Sequence, residues 1–450
     1  MTQLRDVAIV GAGLLGLAAG RALVARGYDV VVLEQAEVGH PGSGSKGKCR
    51  IFRLGYPDPS YVRAARRSAE LWHELEAESG CQILWPTPQL TLGAGLRSVQ
   101  AAMAAAGAPC DLLTAAEAAD RFPAVRTGGS ALLEPDSAVI AADTALAALA
   151  AGVPDLRTSV RVLSLADKGD EVLLRTSAGP VSARTAIVTA GPWSGGLLAS
   201  ISVPLPGRPT LEQVSYLRPV SQNGTGQNGT GQNGTGQNGT GHDGARRDQA
   251  GANGGSPGGA SPGGGSPNRG SPGGASGGHA GGGHASEGHA SEGQASPAVT
   301  STASSAPIFL CHTDRSPYGL PVPGSALYKI GIHPSGPAID PEVQDQSPDQ
   351  RLAGQLADAA RRYLPGYDPE PVSTERCVYD NSPDEDFVLD RVGKVVIGSG
   401  TSGHGFKFGP LLGEWLADLA TATTGQAGEM DAGLRERFAI RRFRPGHDGR

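Results

Sequence analysis

Two apolar strands that flank a Gly-x-Gly-x-x-Gly motif near the N-terminus constrain the fold of this chain most. Gly11, Gly13 and Gly16 directly follow the apolar run DVAIV, and a helical pattern from about Leu14 to Arg26 leads into a second run, DVVVLE. The first glycine permits a tight turn, the second lets the backbone approach a pyrophosphate, and the third allows the helix to pack closely on the strand. The sequence therefore predicts a Rossmann-like βαβ unit that binds a dinucleotide, rather than a Gly-rich turn without a ligand.

Glu34 ends the second strand of this unit. A carboxylate there can accept hydrogen bonds from the ribose hydroxyls of an unphosphorylated adenosine, while the helix N-terminus favours the pyrophosphate. The motif alone does not separate a nicotinamide from a flavin. Two later strands favour FAD: TAIVTAGPW, which contains Ala190 and Gly191, looks like the second nucleotide-contacting segment of the glutathione-reductase-type FAD fold, and VVIGSG looks like its last strand.

Residues 221–305 differ in composition from the rest of the chain. They contain four QNGTG repeats, Gly-Ser-Pro blocks and HASEG repeats, and they lack aromatic residues. Such a segment cannot bury enough apolar surface to offset the entropy that it would lose on ordering. We predict a disordered Gly/Ser/Asn-rich insertion. The alternatives are glycosylation at the Asn-Gly-Thr sites or metal binding at His279, His284 and His289.

Charge and cysteine content argue against several classes of protein. The net charge of −6 comes without a basic block, so neither nucleic acid nor an anionic membrane surface is expected as a partner. The five cysteines have irregular spacings, which are not typical of a disulfide framework or a zinc site, and no metal is predicted. The N-terminus lacks the features of a secretion signal, and no apolar run reaches the roughly 20 residues that cross a bilayer. A cytoplasmic protein that acts on a small molecule is therefore expected.

Four blocks outside the insertion resemble one enzyme family. They are GSGSKGKCRIFRLGYPDPSYVRAARRSAELWHELE, YGLPVPGSALYKIGIH, CVYDNSPDEDFVLD and GTSGHGFKFGPLLGE. In this order they resemble the monomeric sarcosine oxidase and N-methyltryptophan oxidase family, which are FAD-dependent amine oxidases of the D-amino-acid-oxidase-like superfamily. The resemblance implies that Cys377 holds the FAD covalently through a thioether. The alternative for Cys377 is a buried structural thiol.

The resemblance also assigns roles to charged and polar residues by position. Arg53 and Lys407 correspond to the pair that grips the substrate carboxylate, where a guanidinium can form a bidentate clamp and an ammonium adds a point charge. Lys329 corresponds to the lysine that faces the flavin and serves the reaction with oxygen, where a fixed positive charge stabilises superoxide-like charge. Three further residues match the substrate-side Tyr and His of the family and the arginine near its flavin ring, namely Tyr318, His333 and Arg50.

The chain departs from the family pattern just before Arg50. Where the family often has His-His-Gly-Asp-Thr, this chain has SKGKC, so Lys46 replaces a histidine near the flavin and Cys49 replaces a threonine. We therefore expect an altered flavin potential and oxygen reactivity with flavin binding retained. Spacing does not assign the side chains at the far end of the substrate, for which the surroundings of Phe309 are a candidate.

The predicted fold class is α/β, with a glutathione-reductase-type, Rossmann-like FAD-binding domain and an α+β substrate domain built on an antiparallel sheet. The FAD-binding domain is expected to combine residues 1–60, 141–205 and 385–450, and the substrate domain residues 61–140, 206–220 and 306–384. The segment PSYVRAARRSAELWHELEAESG predicts an amphipathic helix with Ser60 as its N-cap and Gly80 just past its end.

These features together predict a monomeric FAD-dependent oxidase of secondary amines. It would oxidise an N-methyl or cyclic amino acid to an imine that hydrolyses, and reduce dioxygen to hydrogen peroxide. The alternatives are a flavin-dependent dehydrogenase, a biosynthetic oxidase of a bulky imino acid, and a non-catalytic protein that binds a flavin or nucleotide. An NAD-dependent dehydrogenase is disfavoured by the VVIGSG block.

Overall fold

A computed structural model describes residues 3–220, 306–313, 315–421 and 430–443 of the chain. The insertion predicted at 221–305 lies outside the described residues, as do the Asn-Gly-Thr sites and His279, His284 and His289. Their predicted properties therefore stay predictions. Among the described helices, none combines the length and the apolar character that a membrane crossing requires.

The described residues form strands and helices throughout. The strands are β1 (Leu4–Val10), β2 (Val30–Leu33), β3 (Cys49–Phe52), β4 (Leu84–Pro86), β5 (Gln89–Gly93), β6 (Asp111–Leu113), β7 (Ala131–Glu134), β8 (Ala138–Ala141), β9 (Leu156–Arg157), β10 (Val162–Asp167), β11 (Val172–Thr176), β12 (Gly179–Val188), β13 (Arg208–Leu217), β14 (Ile308–His312), β15 (Pro317–Pro321), β16 (Tyr328–Ile332), β17 (Ser373–Asn381), β18 (Val388–Val392) and β19 (Val395–Ser399). The helices are α1 (Leu14–Ala25), α2 (Pro59–Ser79), α3 (Leu96–Ala105), α4 (Ala115–Arg121), α5 (Ala142–Ala151), α6 (Ser194–Ala199), α7 (Gln350–Tyr363), α8 (Gly409–Thr421) and α9 (Ala432–Phe438).

The first sheet has the order β10-β11-β12-β1-β2-β9, with β19 also pairing with β12 and β18 pairing with β19. The middle of this sheet is parallel, because β1 pairs in parallel with β2 and β12, β2 with β9, and β12 with β19. Val10 lies beside both Leu33 and Val188. Val188 in turn lies beside Ile397. The carboxyl ends of four parallel strands therefore meet at one edge of the sheet, which is where open α/β sheets bind ligands.

The second sheet has the order β17-β13-β16-β15-β14-β5-β7-β6. The sequence predicts an antiparallel sheet here. Six of its seven strand pairings are antiparallel, but β14 pairs with β5 in parallel, so the sheet is mixed. The surroundings of Phe309, a candidate for the far end of the substrate, reach the cavity through Leu310, Cys311 and His312, but Phe309 itself does not line it. It is fully buried and stacks on Tyr328 and Tyr363, because alternation along β14 turns it into the core beneath α7.

Helix α2 begins two residues earlier than the capping pattern suggested. Its N-cap is Asp58 and not Ser60, because the Asp58 carboxylate accepts a hydrogen bond from the Ser60 N–H and Pro59 occupies the first helical position. The predicted end is confirmed, since Gly80 adopts a left-handed conformation with φ of 67°. The helix buries Trp72 completely against the segment that precedes α8.

A third, small sheet has the order β3-β8-β4. It holds Cys49 and Arg50 in β3, and the loop that follows β3 contains Arg53. Outside the insertion, the chain clusters into one compact unit, so the boundaries of the two predicted domains stay a prediction.

Candidate active site

A cavity of about 1020 Å³ begins at the carboxyl edge of the first sheet and extends to the second sheet and the small sheet. The predicted site residues that line it are Gly11, Gly13, Glu34, Lys46, Arg50, Arg53, Ala190, Gly191, Tyr318, Lys329, His333, Cys377 and Lys407. Gly16 does not line the cavity. A Cβ atom there would lie 1.9 Å from the Gly11 carbonyl oxygen, so its role is the close packing of α1 on β1.

The glycine-rich end of the cavity has the features that a pyrophosphate needs. Gly11 has φ of 97°, and a Cβ atom there would lie 2.6 Å from the Thr189 carbonyl oxygen, so only glycine fits this turn. Gly13 is the N-cap of α1 and makes no side-chain cap bond. The Leu14 N–H donates to the Ser45 hydroxyl at 3.0 Å, and the N–H groups that follow it in the first turn of α1 can bind an anion.

Glu34 lies beside this turn with a buried carboxylate. Its Oε2 accepts a hydrogen bond from the Ala12 N–H at 2.8 Å, and its Oε1 accepts one from the Ala36 N–H at 3.0 Å. A carboxylate offers about four acceptor positions, so two remain for ribose hydroxyls. The residues at this end of the cavity fit the adenosine and pyrophosphate of FAD.

The middle of the cavity contains Arg50, Cys377 and Lys329. Arg50 donates to the Cys49 carbonyl oxygen at 3.0 Å, and its Nη2 lies 3.8 Å from the Cys377 Sγ. Cys377 lies in β17 two residues after Glu375, so the two side chains lie on the same face of the strand. Both residues line the cavity. The thiol of Cys377 is partly exposed, so it is not the fully buried structural thiol of the alternative interpretation.

Lys329 is a buried cation in a strand. Its Nζ donates to the Cys49 carbonyl oxygen at 3.0 Å, and the side chain is almost inaccessible to solvent. Burial, with Arg50 nearby, lowers the pKa of Lys329. Among the described residues no carboxylate pairs with it, and such a buried cation is costly unless a ligand compensates it.

Tyr318 and His333 border the same part of the cavity as Lys329. In the pairing of β15 with β16, Leu320 lies opposite Lys329 and Tyr318 opposite Gly331, so Tyr318 and Lys329 share one face of the sheet. Burial raises the pKa of Tyr318 to about 12 and lowers the pKa of His333. Both side chains are therefore neutral at physiological pH.

Arg53 and Lys407 lie at the end of the cavity away from the glycine-rich turn. The Arg53 guanidinium lies 4.0 Å from the centre of the Tyr56 ring and donates to the Gly55 carbonyl oxygen. The Lys407 Nζ donates to the Tyr56 hydroxyl at 3.0 Å and to the His404 carbonyl oxygen at 2.6 Å. Burial, with Arg53 beside it, lowers the pKa of Lys407 well below its ordinary value. Within the described chain, neither cation forms an ion pair.

Helix α2 fixes the backbone at Lys407. The Lys407 carbonyl oxygen accepts hydrogen bonds from the Ser68 hydroxyl at 2.7 Å and from the Trp72 indole N–H at 2.9 Å. Both donors are fully buried. The lysine therefore lies on a rigid support, as a residue that orients a ligand requires.

Two buried carboxylates that the sequence did not indicate hold the loops of the site. Glu134 accepts hydrogen bonds from the Leu54 and Gly55 N–H groups, directly after Arg53. Glu212 accepts bonds from the Ser335 and Gly336 N–H groups, in the loop after His333. Neither carboxylate belongs to a motif. Each is far along the chain from the loop that it holds, so no local sequence pattern indicates its role. Tyr56 and His404 were also missed, although both lie inside blocks that carry the family resemblance.

Comparison with known proteins agrees with this arrangement. Peroxisomal sarcosine oxidase of Mus musculus is 28% identical over 438 residues, covering 93% of each chain. Monomeric sarcosine oxidase of Bacillus sp. (strain NS-129) is 26% identical, covering 92% of each chain. Among solved structures, the open form of NikD, an unusual amino acid oxidase essential for nikkomycin biosynthesis, superposes with a TM-score of 0.70 at 21% identity, covering 97% of this chain and 98% of that one.

The profile of the DAO family, described as FAD dependent oxidoreductase, matches residues 6–250 and 269–419. This match includes the glycine-rich turn, both large sheets and the Lys407 segment. The predicted fold class and the predicted family are therefore confirmed. The chain belongs to the DAO family of FAD dependent oxidoreductases.

Proposed function

We propose that this enzyme oxidises the secondary amine of a small N-methyl or cyclic amino acid to an imine and reduces dioxygen to hydrogen peroxide. For an N-methyl amino acid, hydrolysis of the imine releases formaldehyde and the primary amine. A cyclic substrate keeps its ring and leaves as the cyclic imine. In both cases one C–H and one N–H hydrogen leave the amine, and two electrons pass to dioxygen.

The observation that carries this proposal is a pair of basic side chains, the partly buried Arg53 and the buried Lys407, in a cavity whose glycine-rich end fits a dinucleotide. Neither has an anionic partner among the described residues, which is unfavourable for basic groups withdrawn from water. A ligand carboxylate would supply the missing charge to both. The relatives named sarcosine oxidase support an amino acid with a secondary amine as that ligand.

FAD, when bound, accepts a hydride equivalent from the amine and delivers two electrons to dioxygen. Gly11, Gly13 and Glu34 would hold its pyrophosphate and ribose, with Ala190 and Gly191 beside them. Cys377 would attach it covalently, since its thiol borders the cavity next to Arg50.

The protein's own side chains would position the substrate. The planar guanidinium of Arg53 and the amine of Lys407 orient the carboxylate, which fixes the amine near Tyr318 and His333. Because both of these side chains are neutral, they can accept or donate hydrogen bonds without holding the substrate amine as a cation. Lys329 favours dioxygen as the electron acceptor over a protein carrier, since it places positive charge where superoxide-like charge develops.

An absorbance spectrum of the purified protein, taken before and after acid precipitation, tests the cofactor. Yellow colour that stays with the precipitated protein, and moves to the supernatant in Cys377→Ser, is the expected result for a covalent link. Colour released from the unmodified protein overturns the link but not FAD binding. A colourless protein from flavin-sufficient cells contradicts the proposed function and favours a non-catalytic role.

The substrate class is tested by anaerobic addition of sarcosine, N-methyltryptophan and pipecolate to the purified protein. Bleaching by one of them, followed by recovery of colour and formation of hydrogen peroxide in air, is expected. Bleaching without recovery in air identifies a dehydrogenase. A bulky amine as the best substrate favours a biosynthetic role. Size-exclusion chromatography tests the proposed monomer.

A further inference from the structure

Lys407 ends a hydrogen-bonded chain that passes through Tyr56 and His404. The Tyr56 hydroxyl lies 3.1 Å from the His404 Nδ1, and the His404 Nε2 lies 2.9 Å from the Glu385 carbonyl oxygen. A carbonyl oxygen can only accept, so Nε2 carries the hydrogen and Nδ1 of the neutral ring is an acceptor. The Tyr56 hydroxyl must therefore donate to Nδ1, which leaves its oxygen as an acceptor for Lys407. Every bond in the chain has a fixed direction.

The Lys407 amine has two partners in this chain, and both are neutral acceptors. These are the Tyr56 oxygen and the His404 carbonyl oxygen. A neutral amine has two hydrogens to donate and one lone pair, so two acceptors satisfy its donors and leave the lone pair free. An ammonium has a third hydrogen, which needs a third acceptor. A carboxylate bound between Lys407 and Arg53 would be that acceptor.

The other titratable groups around Lys407 are already engaged or are cationic. Arg53 and Tyr56 face it from the loop after β3, and Glu134 from β7. All acceptor positions of Glu134 near the loop are used, since Gln89 and Thr91 also donate to it. His404 is neutral because burial and Lys407 lower its pKa well below the ordinary value. His333, at the end of β16, is neutral for the same reason of burial.

We infer that Tyr56 and His404 are positioning residues that hold the uncharged Lys407 amine by its two hydrogens, with its lone pair free and no third acceptor, until a carboxylate binds and Lys407 takes up one proton. This inference rests on the proposed function for the identity of the ligand. A zwitterionic substrate brings the proton itself: the ammonium of the amino acid loses one proton to Lys407, which leaves a neutral amine and a lysine ammonium paired with the carboxylate. No proton is then exchanged with solvent. The same transfer gives the amine the neutral state from which a hydride equivalent can leave.

Calorimetry of acetate binding to the FAD-loaded enzyme, repeated in two buffers of different ionisation enthalpy, counts the protons. At pH 8 we expect uptake of about one proton, which falls towards zero in acid where free Lys407 is already protonated. Above the pKa of free Lys407 the affinity should fall about tenfold for each pH unit. Lys407→Met should bind acetate weakly and take up no proton. Sarcosine, under anaerobic conditions, should bind without net uptake.

Three variants test the chain itself. In Tyr56→Phe, Lys407 loses one hydrogen-bond acceptor. In His404→Leu, the Tyr56 hydroxyl loses its acceptor and can donate to the Lys407 lone pair instead. Both changes favour the neutral amine. The pH above which acetate binding weakens should move to lower values in both. His404→Gln is the matched control, since its amide can accept from Tyr56 and donate to the Glu385 carbonyl oxygen, and it should keep the pH profile. Tyr56→Phe keeps the ring that packs on Tyr61 and Arg53, so it should fold.

Acetate binding without proton uptake in the parent enzyme, or uptake that persists in Lys407→Met, overturns this inference and leaves the proposed function standing. A second contrary result is an equal loss of affinity for acetate at every pH in Tyr56→Phe and His404→Leu, with the number of protons taken up unchanged. That result would mean that both residues act only through packing, and it also overturns the inference. Failure to bind any carboxylate overturns the inference and the proposed site together.

Discussion

At the scale of single residues, the site is distinguished by basic side chains that have no carboxylate partner among the described residues. Elsewhere in the described chain, arginines at the surface pair with carboxylates, as Arg26 does with Glu414 and Asp418. Arg53, Lys329 and Lys407 do not, although all three line the cavity. Because an unpaired basic group withdrawn from water is unfavourable for stability, these residues are the ones whose presence a ligand has to explain.

Replacing either carboxylate-binding side chain should weaken the use of substrate far more than it changes the fold. We expect Arg53→Lys and Lys407→Met each to lower kcat/KM for the preferred amine by about 100-fold, the value of a lost charged hydrogen bond in a desolvated site. Steady-state kinetics measures this. Lys407→Met should also raise the thermal unfolding midpoint, since it removes a buried amine. Unchanged kcat/KM in both variants would place the carboxylate elsewhere.

Lys329 should affect only the reaction with oxygen. We expect Lys329→Met to slow reoxidation of the reduced enzyme by about 10² to 10³-fold, since preorganised charge of this kind contributes a few kcal/mol to a transition state. Anaerobic reduction by the amine should change much less. Stopped-flow absorbance separates the two half-reactions. Equal slowing of both would mean that Lys329 mainly supports the packing around Cys49.

At the scale of elements, the start of α2 combines a helix cap with an ion pair. Asp58 caps the helix and also pairs with Arg437 from α9. Burial alone would raise the pKa of Asp58, but the Ser60 N–H and the Arg437 guanidinium outweigh burial and lower it. A carboxyl with a lowered pKa stabilises the folded state above its unfolded pKa, and that contribution is lost as the pH falls through its folded pKa.

We therefore expect Asp58→Ala to lower the free energy of unfolding by about 1 to 2 kcal/mol at neutral pH. The difference from the parent protein should begin to shrink at about pH 4, where the carboxyl of the unfolded chain takes up a proton, and should be lost as the pH falls through the lower folded pKa. Denaturant titrations at several pH values measure it. Ser60→Ala is the control, because its hydroxyl accepts from the exposed Arg63 and lowers the pKa of Asp58 less than the Ser60 N–H does, so its loss should cost little. A larger loss in Ser60→Ala would restore Ser60 as the cap.

Glu134 connects β7 to the loop that carries Arg53 and Tyr56. In Glu134→Gln the amide nitrogen would face backbone N–H donors, so the loop should shift, with a loss of about 2 to 4 kcal/mol in unfolding free energy. KM for the amine should rise together with this loss. Glu212→Gln is the matched control, since it removes a similar buried acceptor from the loop after His333. A rise in KM that is equal in both variants would mean general loosening rather than positioning of Arg53.

The elements that the sequence predicted best are those with a local pattern. The βαβ unit, Gly80 at the end of α2, and the strand of Lys329 each follow from residues adjacent in the chain. Asp58 was missed as a cap because Ser60 also satisfies the pattern two residues later. Glu134 and His404 could not be predicted in their roles, because each acts on a partner about 80 or more residues away and only the paired sheets bring them together.

At the scale of the whole molecule, the point where the insertion enters the fold is defined by the second sheet. The insertion connects β13 to β14, and the order β13-β16-β15-β14 puts two strands between them. Each neighbouring pair is antiparallel, so β13 and β14 also run in opposite directions. The end of β13 and the start of β14 therefore lie at the same edge of the sheet, about 14 Å apart by the usual strand spacing.

A short linker can span that distance, since ten extended residues reach about 33 Å. We expect a variant in which ten Gly/Ser residues replace 221–305 to fold, to bind FAD and to keep kcat/KM within about threefold of the full chain, because loop-closure entropy changes slowly with loop length. The replacement keeps Pro219, whose backbone bridges to Tyr367, and the buried start of β14. Flavin content, thermal unfolding and amine kinetics measure the outcome. Folding with flavin but an altered KM would make the insertion part of substrate access, whereas loss of folding would show that the composition of 221–305 conceals a structural role.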